Sequence, residues 1–242
     1  MINHTNTIVL HELTKDGTNS FESVSVESFE KILISTKGLT GLSHSIPNCK
    51  FVITFDDGYK SDILYALPLL LNYKAKAIFF ITIDFIGKDG YMNWDDIIIL
   101  QSSGMEIGSH SLTHPNFNDL TKVQMDEEFY LSKNFIEEKI GVKISSFSFP
   151  YGSYTNKAID LARKAGYKFL YTSDHGLISS LENKYFLRNS VNSSHSKEKI
   201  HSILYPTLLV RILWRIEDPI KRLIKLLLGT YYLKIRDFLW LH

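Results

Sequence analysis

The chain of 242 residues has the composition of a folded globular protein. Hydrophobic residues make up 44% of it and charged residues 22%, which excludes a disordered or fibrous chain. A chain of this length can bury a full core in one large domain or two small ones. Its only cysteine, Cys49, excludes an internal disulfide and a cysteine-based zinc cluster. The net charge of +1 gives no indication of nucleic-acid binding.

Strand-like and helix-like segments alternate along most of the chain. This alternation is typical of βαβ units and a parallel sheet. Roughly seven strands favour a distorted (β/α) barrel, although an open parallel sheet would have the same periodicity. Thr121 and Gln124 form a capping-box pattern at the start of the longest of the predicted helices. Strands are predicted near 8–10, 51–55, 75–83, 105–108, 144–149 and 167–172, and helices near 62–73, 94–101, 121–139 and 156–164.

Three loops with polar or aromatic side chains directly follow predicted strands. The carboxyl ends of parallel strands meet at one edge of a sheet or barrel, where such folds place their chemistry. We therefore expect the three loops to lie close together. They are Asp56-Asp57-Gly58, His110-Ser111-Leu112-Thr113-His114 and Pro150-Tyr151-Gly152.

The first two loops together predict a catalytic metal site. If the second loop turns helically, His110 and His114 lie on one face and can share a divalent ion. Asp56 or Asp57 can supply a third ligand, which leaves coordination positions open for water and substrate. Adjacent residues on an extended chain point in opposite directions, so the other carboxylate is free to act as a general base. Taken separately, either pattern is more often a helix cap or a turn.

The three loops together resemble the motifs of the polysaccharide deacetylase family, the NodB-homology domain. Its first motif, TFDDG, stands unchanged at 54–58, and its second, H-[ST]-x-x-H, stands at 110–114. The end of its third motif, Pro-Tyr-Gly, stands at 150–152. The resemblance covers about residues 5–200. It implies a distorted (β/α) barrel and a metal-dependent deacetylase.

The resemblance also implies a role for each motif residue. Asp57 would be a metal ligand together with His110 and His114. Asp56 would be the base that takes a proton from the attacking water. The backbone N–H of Tyr151 would donate to the developing oxyanion.

The chain departs from the family pattern at two points. Many members carry arginine two residues before the third-motif proline, paired with the base, whereas this chain has Ser148. The late motif that supplies an acidic histidine is also not evident. His11, after an apolar run, instead resembles the N-terminal segment of the poly-N-acetylglucosamine deacetylase-like branch. We favour His11 as the general acid, with His175 and His195 as alternatives.

Four residues are candidates for substrate contact. Trp94 lies where a predicted loop meets the helix near 94–101, and an exposed aromatic ring there can stack on a sugar, although packing in the core would explain it equally well. His175 follows the predicted strand at 167–172. Pro150 and Tyr151 are assigned to substrate binding through the third motif.

The predicted activity is hydrolysis of N-acetyl groups on amino sugars of a glycan or glycolipid, in bacterial surface-glycan biosynthesis. Zinc is the favoured ion for two histidines and one aspartate, and cobalt or nickel would suit the same ligands. One alternative is a carbohydrate-binding protein with impaired turnover. Another is a deformylase or other amidohydrolase acting on a lipid-linked sugar.

The C-terminal segment has a different character. We divide the chain into a deacetylase domain over 1–203 and a basic amphipathic helical extension over 204–242, which carries seven basic and three acidic residues. Apolar residues recur there at helical spacing from Leu209 to Leu227, and Pro219 is expected to divide the segment into two helices. The apolar stripe would pack on the domain, on a second copy in a homodimer, or on an anionic membrane. With no recognisable signal sequence or membrane span, we expect a cytoplasmic protein, peripheral on the inner membrane face.

Overall fold

The structure is a computed structural model that describes residues 4–16, 20–37, 39–46, 48–180 and 184–228. The C-terminal residues 229–242, which include part of the predicted extension, lie outside the described residues.

A curled half-barrel sheet forms the centre of the molecule and confirms the predicted fold class. Seven strands follow one another across it in the order β10-β1-β5-β6-β7-β8-β9, while β11 pairs with β1 and β4 pairs with β5. Every pairing within this sheet is parallel except that of β1 with β10. The strands are β1 Thr5–Leu10, β2 Leu13–Thr14, β3 Val24–Ser25, β4 Thr40–Gly41, β5 Phe51–Phe55, β6 Ala77–Ile81, β7 Glu106–Ser109, β8 Ser146–Ser148, β9 Phe169–Tyr171, β10 Leu177–Ile178 and β11 Asn189–Ser190, with β2 and β3 forming a separate pair.

Seven α-helices accompany these strands in the described part of the chain. The predicted capping box is confirmed: the Thr121 hydroxyl accepts from the Gln124 N–H, and the Gln124 side chain accepts from the Thr121 N–H. The segment predicted as one helix over 62–73 begins instead with a π-helical turn at Asp62–Ala66. The helices are α1 Val26–Ser35, α2 Leu67–Asn72, α3 Trp94–Ser102, α4 Lys122–Ile140, α5 Asn156–Lys164, α6 Lys197–Leu204 and α7 Leu208–Leu228.

Alternation along the strands gives the sheet two different faces. In β5, Ile53 and Phe55 pack in the main core with the helices, whereas Val52 belongs to a smaller apolar cluster on the other face. Thr54 shares the parity of Val52, and the next residue with that parity is Asp56. The pleat of β5 therefore directs Asp56 toward the inside of the curl.

The C-terminal helix α7 differs from the prediction in two ways. It continues through Pro219 as one helix, although proline removes the N–H that would bond to the carbonyl of Arg215, an exposed residue. Its apolar stripe does not pack on the domain, since side chains such as Leu209 and Ile216 are 66% and 56% exposed. Among the described residues, no helix combines the length and apolar character needed to cross a bilayer. The proposed division at residues 203 and 204 falls at the end of α6.

Candidate active site

The two carboxylates after β5 approach the same histidine instead of pointing apart. Asp57 has a left-handed backbone, with φ of 74°, so the chain is not extended at this point. The turn brings an oxygen of each carboxylate toward Nε2 of His110, at 3.7 Å for Asp56 and 3.4 Å for Asp57. The prediction that the two side chains separate was therefore wrong in its geometry. The same turn leaves both carboxylates buried.

The second loop brings its histidines together without forming a helix. Ser111 and His114 have positive φ of 76° and 61°, so the expected helical turn is replaced by a folded loop. The buried Glu128 on α4 holds this loop by accepting hydrogen bonds from the N–H groups of Leu112 and Thr113, at 2.8 and 3.0 Å. Sequence reasoning missed Glu128, because its partner loop lies 15 and 16 residues earlier in the chain.

Asp57, His110 and His114 form a group that can hold a metal ion. Their potential ligand atoms all lie within 4.8 Å of one another. Nδ1 of His110 lies 2.8 Å from the carbonyl oxygen of Ser148. Since a carbonyl only accepts, this nitrogen carries the proton and Nε2 presents a lone pair to the group.

The chemistry of these donors fits a divalent cation. Oδ1 of Asp57 is buried without a hydrogen-bond partner, and it lies 3.4 Å from Nε2 of His110 and 3.2 Å from Nε2 of His114. Burial lowers the pKa of His110 to about 4, so this imidazole is neutral at pH 7. A cation at this point would satisfy an otherwise orphaned carboxylate oxygen and a neutral imidazole together.

Left-handed backbone is concentrated in the three loops. Five residues other than glycine have positive φ among the described residues, and four of them lie in these loops. Such conformations are uncommon for non-glycine residues and cluster at functional sites. The four are Asp57, Ser111, His114 and Tyr151.

Arg188 supplies the guanidinium that the third motif lacks. This fully buried side chain donates to both oxygens of Asp56, at 2.7 Å each. It also donates to the Ser148 hydroxyl at 2.7 Å, which in turn lies 3.2 Å from Asp56. The missing arginine is thus replaced by one from the segment that leads into β11. No local sequence pattern marks Arg188, because its partner is 132 residues away.

The guanidinium of Arg188 determines the charge state of Asp56. Burial alone would raise the pKa of this carboxyl group, but Arg188, with His110 and His11, holds the pKa well below its ordinary value. Asp56 is therefore ionised at neutral pH. A buried carboxylate kept in its charged form can accept a proton from a neighbouring group.

These residues lie in a groove of about 330 Å³ at the carboxyl ends of the strands. Tyr151 lines it and packs the edge of its ring against His114, with centroids 4.6 Å apart. The groove also receives a side chain from the last described helix, Lys221. Its full lining is Val9, His11, Phe21, Glu22, Asp56, Asp57, His110, His114, Tyr151, Ser173, His175, Ser190, Asn192, His195 and Lys221.

All three candidate acids line the groove, in different environments. His11 follows β1, and its charge contributes to the low pKa of Asp56. His195 has its pKa lowered to about 4 by burial and by Lys199, so it is neutral at pH 7. A general acid must carry a proton before the reaction, so this environment does not suit His195. His175 donates from Nδ1 to the Asp218 carboxylate at 2.7 Å, a contact that sequence reasoning missed.

Two candidate substrate-contact residues lie outside the groove lining. Trp94 begins α3 and packs, partly buried, against the main core. Pro150 is buried within a short 3₁₀ turn, Pro150–Gly152. This turn places Tyr151 at the groove, and the backbone N–H of Gly152 closes it on the carbonyl of Phe149 at 2.9 Å.

The fold and this group of side chains define a half-barrel with a candidate hydrolytic site at its strand ends. A family model described as polysaccharide deacetylase matches residues 46–170, about half of the chain. The chain belongs to the polysaccharide deacetylase family.

Individual relatives agree with this assignment. YxkH of Bacillus subtilis is 30% identical over 136 residues, covering 56% of this chain and 49% of that protein. The poly-beta-1,6-N-acetyl-D-glucosamine N-deacetylase of Staphylococcus aureus is 23% identical over 167 residues, covering 61% and 56%. The chain therefore spans only about half the length of these curated relatives. The deacetylase PplD of Streptococcus pyogenes, solved in complex with acetate, shares the fold with a TM-score of 0.76 at 18% identity, covering 85% of this chain and all of that one.

Proposed function

We propose that this protein is a metal-dependent deacetylase that hydrolyses N-acetyl groups of amino sugars in a glycan or glycolipid. The observation that carries the proposal is the convergence of Asp57, His110 and His114 beside the ionised Asp56 in one groove. Family membership agrees with this chemistry. Zinc is the proposed ion, and cobalt or nickel would suit the same three ligands.

The residues of the groove divide the reaction among them. A divalent ion bound there would act as a Lewis acid toward water and the acetyl carbonyl. Asp56 accepts a proton from water as its oxygen bonds to the carbonyl carbon. The N–H of Tyr151 donates to the oxyanion that forms. His11 gives a proton to the nitrogen as the C–N bond breaks, and the products are acetate and the free amino sugar.

Arg188 is a positioning residue in this proposal. Its two bonds fix the orientation of the Asp56 carboxylate. The alternative of a carbohydrate-binding protein with impaired turnover rests on the two departures from the family pattern, the missing third-motif arginine and the missing late histidine motif. Arg188 supplies a guanidinium to Asp56 from another place in the chain, so the missing arginine no longer favours that alternative.

Acetate release tests the proposal directly. We expect the protein to release acetate from chitooligosaccharides, and a chelator to abolish the activity until zinc is restored. Asp56→Asn should lower kcat by about 10²–10⁴-fold, the usual contribution of a general base. Asp95→Asn, at an exposed position in the first turn of α3, is the matched control. Activity that survives complete metal removal, or that survives in Asp56→Asn, would contradict the mechanism.

A further inference from the structure

The helix α7 contacts the domain through one narrow face. Trp214, Asp218 and Arg222 are spaced four residues apart, which places them on one side of the helix. Trp214 is buried and stacks on the ring of His175, with centroids 5.6 Å apart and planes at 17°. Asp218 accepts from the backbone N–H and from Nδ1 of His175, at 2.7 Å each. Arg222 donates to the Asp174 carboxylate at 3.2 and 2.6 Å. This face is therefore fixed against the rim of the groove.

The opposite face of α7 is an apolar stripe without a partner among the described residues. Ile216 and Ile220 lie two residues to either side of Asp218, about 200° around the helix from it. Single exposed apolar side chains are normal, but eight large ones in one stripe indicate an interaction surface. The stripe consists of Leu209, Ile212, Leu213, Ile216, Ile220, Leu223, Ile224 and Leu227, which are 38–73% exposed.

We propose that this stripe docks the protein on an anionic lipid surface. Residues 204–242 carry seven basic and three acidic side chains. In the described part of α7, Asp218 is paired with His175, Arg222 with Asp174 and Lys221 with Glu217, and Arg211 and Arg215 add further positive charge. Basic residues near an anionic bilayer are attracted to its negative surface potential. The sequence after Leu228 contains two of these seven basic residues and three aromatic residues of the types enriched at membrane interfaces, namely Lys234, Arg236, Tyr231, Tyr232 and Trp240.

The distribution of charge around α7 favours lipid over a second copy of the chain. The side of the helix opposite the stripe carries Arg211, Arg215 and Lys221, so an apolar face and a basic face run along the same helix. An amphipathic helix of this kind lies in the plane of an anionic bilayer interface. At 1.5 Å per residue, the 21 residues of α7 would lie along roughly 30 Å of the surface.

Docking through this stripe would place the groove beside the lipid. Lys221 is part of α7 and also lines the groove that holds Asp56 and His110. We infer that the substrate class is a saccharide carried on a membrane lipid, whose sugar enters the groove while its lipid stays in the bilayer. This part of the inference rests on the proposed deacetylase function.

Vesicle flotation tests the docking. The full chain should float with equimolar phosphatidylglycerol and phosphatidylcholine vesicles, and high salt should weaken the binding. Ile216→Glu with Ile220→Glu should lower partitioning at least tenfold. The matched control is Leu64→Glu with Val123→Glu, which changes side chains that are 56% and 66% exposed elsewhere on the surface. Acetate release from soluble chitooligosaccharides should stay unchanged in both double variants, because none of the four residues lines the groove.

Sedimentation and activity separate the possible outcomes. A chain that ignores these vesicles and sediments as a dimer, which Ile216→Glu with Ile220→Glu dissociates, would overturn the docking. A monomer that ignores the vesicles would overturn it as well. Floating protein that releases no acetate from the soluble substrate would support the docking and count against the proposed function instead.

Discussion

The groove has two walls that are built in different ways. The first, here the motif wall, consists of Asp56, Asp57, His110 and His114, which follow β5 and β7, the strands on either side of β6. The second, the helix wall, consists of Asp174 and His175 with their partners Asp218 and Arg222. These partners lie 43 to 48 residues further along the chain, on a helix whose other face is exposed.

The difference shows how each wall depends on the rest of the fold. The motif wall is fixed by short loops, a left-handed backbone and buried hydrogen bonds. The helix wall exists only while α7 stays seated on the domain. Side chains at element ends within a packed sheet are held more firmly than those that depend on one docked helix. The substitutions below, ordered by the size of the expected effect, test this distinction.

Asp57→Asn should have the largest effect, because it removes the only carboxylate of the proposed ligand group. We expect metal content to fall from about one ion per chain to a small fraction, and kcat/KM to fall by more than about a hundredfold, beyond the usual loss for residues that only support ligands. Elemental analysis of the purified protein and acetate release measure the two quantities. Asp95→Asn should change neither. A full equivalent of metal in Asp57→Asn would show that the motif wall is not the metal site.

Arg188→Gln should have the second-largest effect, because it leaves the buried Asp56 carboxylate without its cation. Burial would then raise the pKa of Asp56, so the acidic limb of the kcat/KM profile should move to higher pH. The free energy of unfolding should fall by about 3–5 kcal/mol at neutral pH.

The pH dependence of that stability loss has a definite sign. Asp56 has a lowered pKa in the folded protein, so its contribution is present above the unfolded value of about 3.9 and is lost as the pH falls below it. The difference from the wild type should therefore shrink in acid, as urea titrations at several pH values would show. Arg188→Lys keeps the positive charge but cannot donate to both oxygens of Asp56 as a guanidinium does. Its stability should therefore lie between those of the wild type and Arg188→Gln. An unmoved acidic limb in both variants would contradict a positioning role.

Asp218→Asn tests the helix wall, where we expect a smaller effect on activity. The amide has one acceptor oxygen where the carboxylate has two, so it cannot accept both hydrogen bonds from His175, and the seating of α7 should weaken while the stacking of Trp214 remains. Hydrogen exchange along α7 should accelerate, and kcat/KM should fall by about tenfold or less. Metal content should stay at the wild-type value. If metal is lost together with the seating of α7, the two walls are not independent.

Asp62→Asn should have the smallest effect on activity and a favourable one on stability. This carboxyl group is fully buried, neither oxygen has a hydrogen-bond partner, and burial together with Asp57 raises its pKa well above the ordinary value. A raised pKa makes the folded state lose stability as the pH rises. The amide carries no such penalty, so the variant should unfold at higher urea concentration than wild type at pH 8 and at about the same concentration at pH 4. Equal midpoints at pH 8 would contradict this assignment.

The sequence predicted the barrel and the motif wall because both are encoded locally. Alternating strands and helices follow from periodicity, and the capping box at Thr121 places the start of α4 correctly. The loop geometry was harder, since Asp57 and His114 adopt backbone conformations that their residue types do not predict. The role of each site residue and the docking of the apolar stripe of α7 on a lipid surface stay predictions.

Long-range contacts explain what sequence reasoning missed. Arg188 meets Asp56 across 132 residues, and Asp218 meets His175 across 43. Periodicity places a residue on a face of its own element, but it does not tell which distant side chain will face it. The apolar stripe of α7 was recognised from its spacing, whereas the buried face opposite it required the fold.

The position of Arg188 has a consequence for how such chains evolve. Its guanidinium lies 2.7 Å from the hydroxyl of Ser148, the position at which the family motif is expected to carry arginine. An arginine side chain at position 148 would compete with Arg188 for the space beside Asp56. We therefore expect positions 148 and 188 to covary among related sequences, with arginine at one or the other. A survey that scored position 148 alone would overlook the guanidinium beside Asp56 in chains like this one.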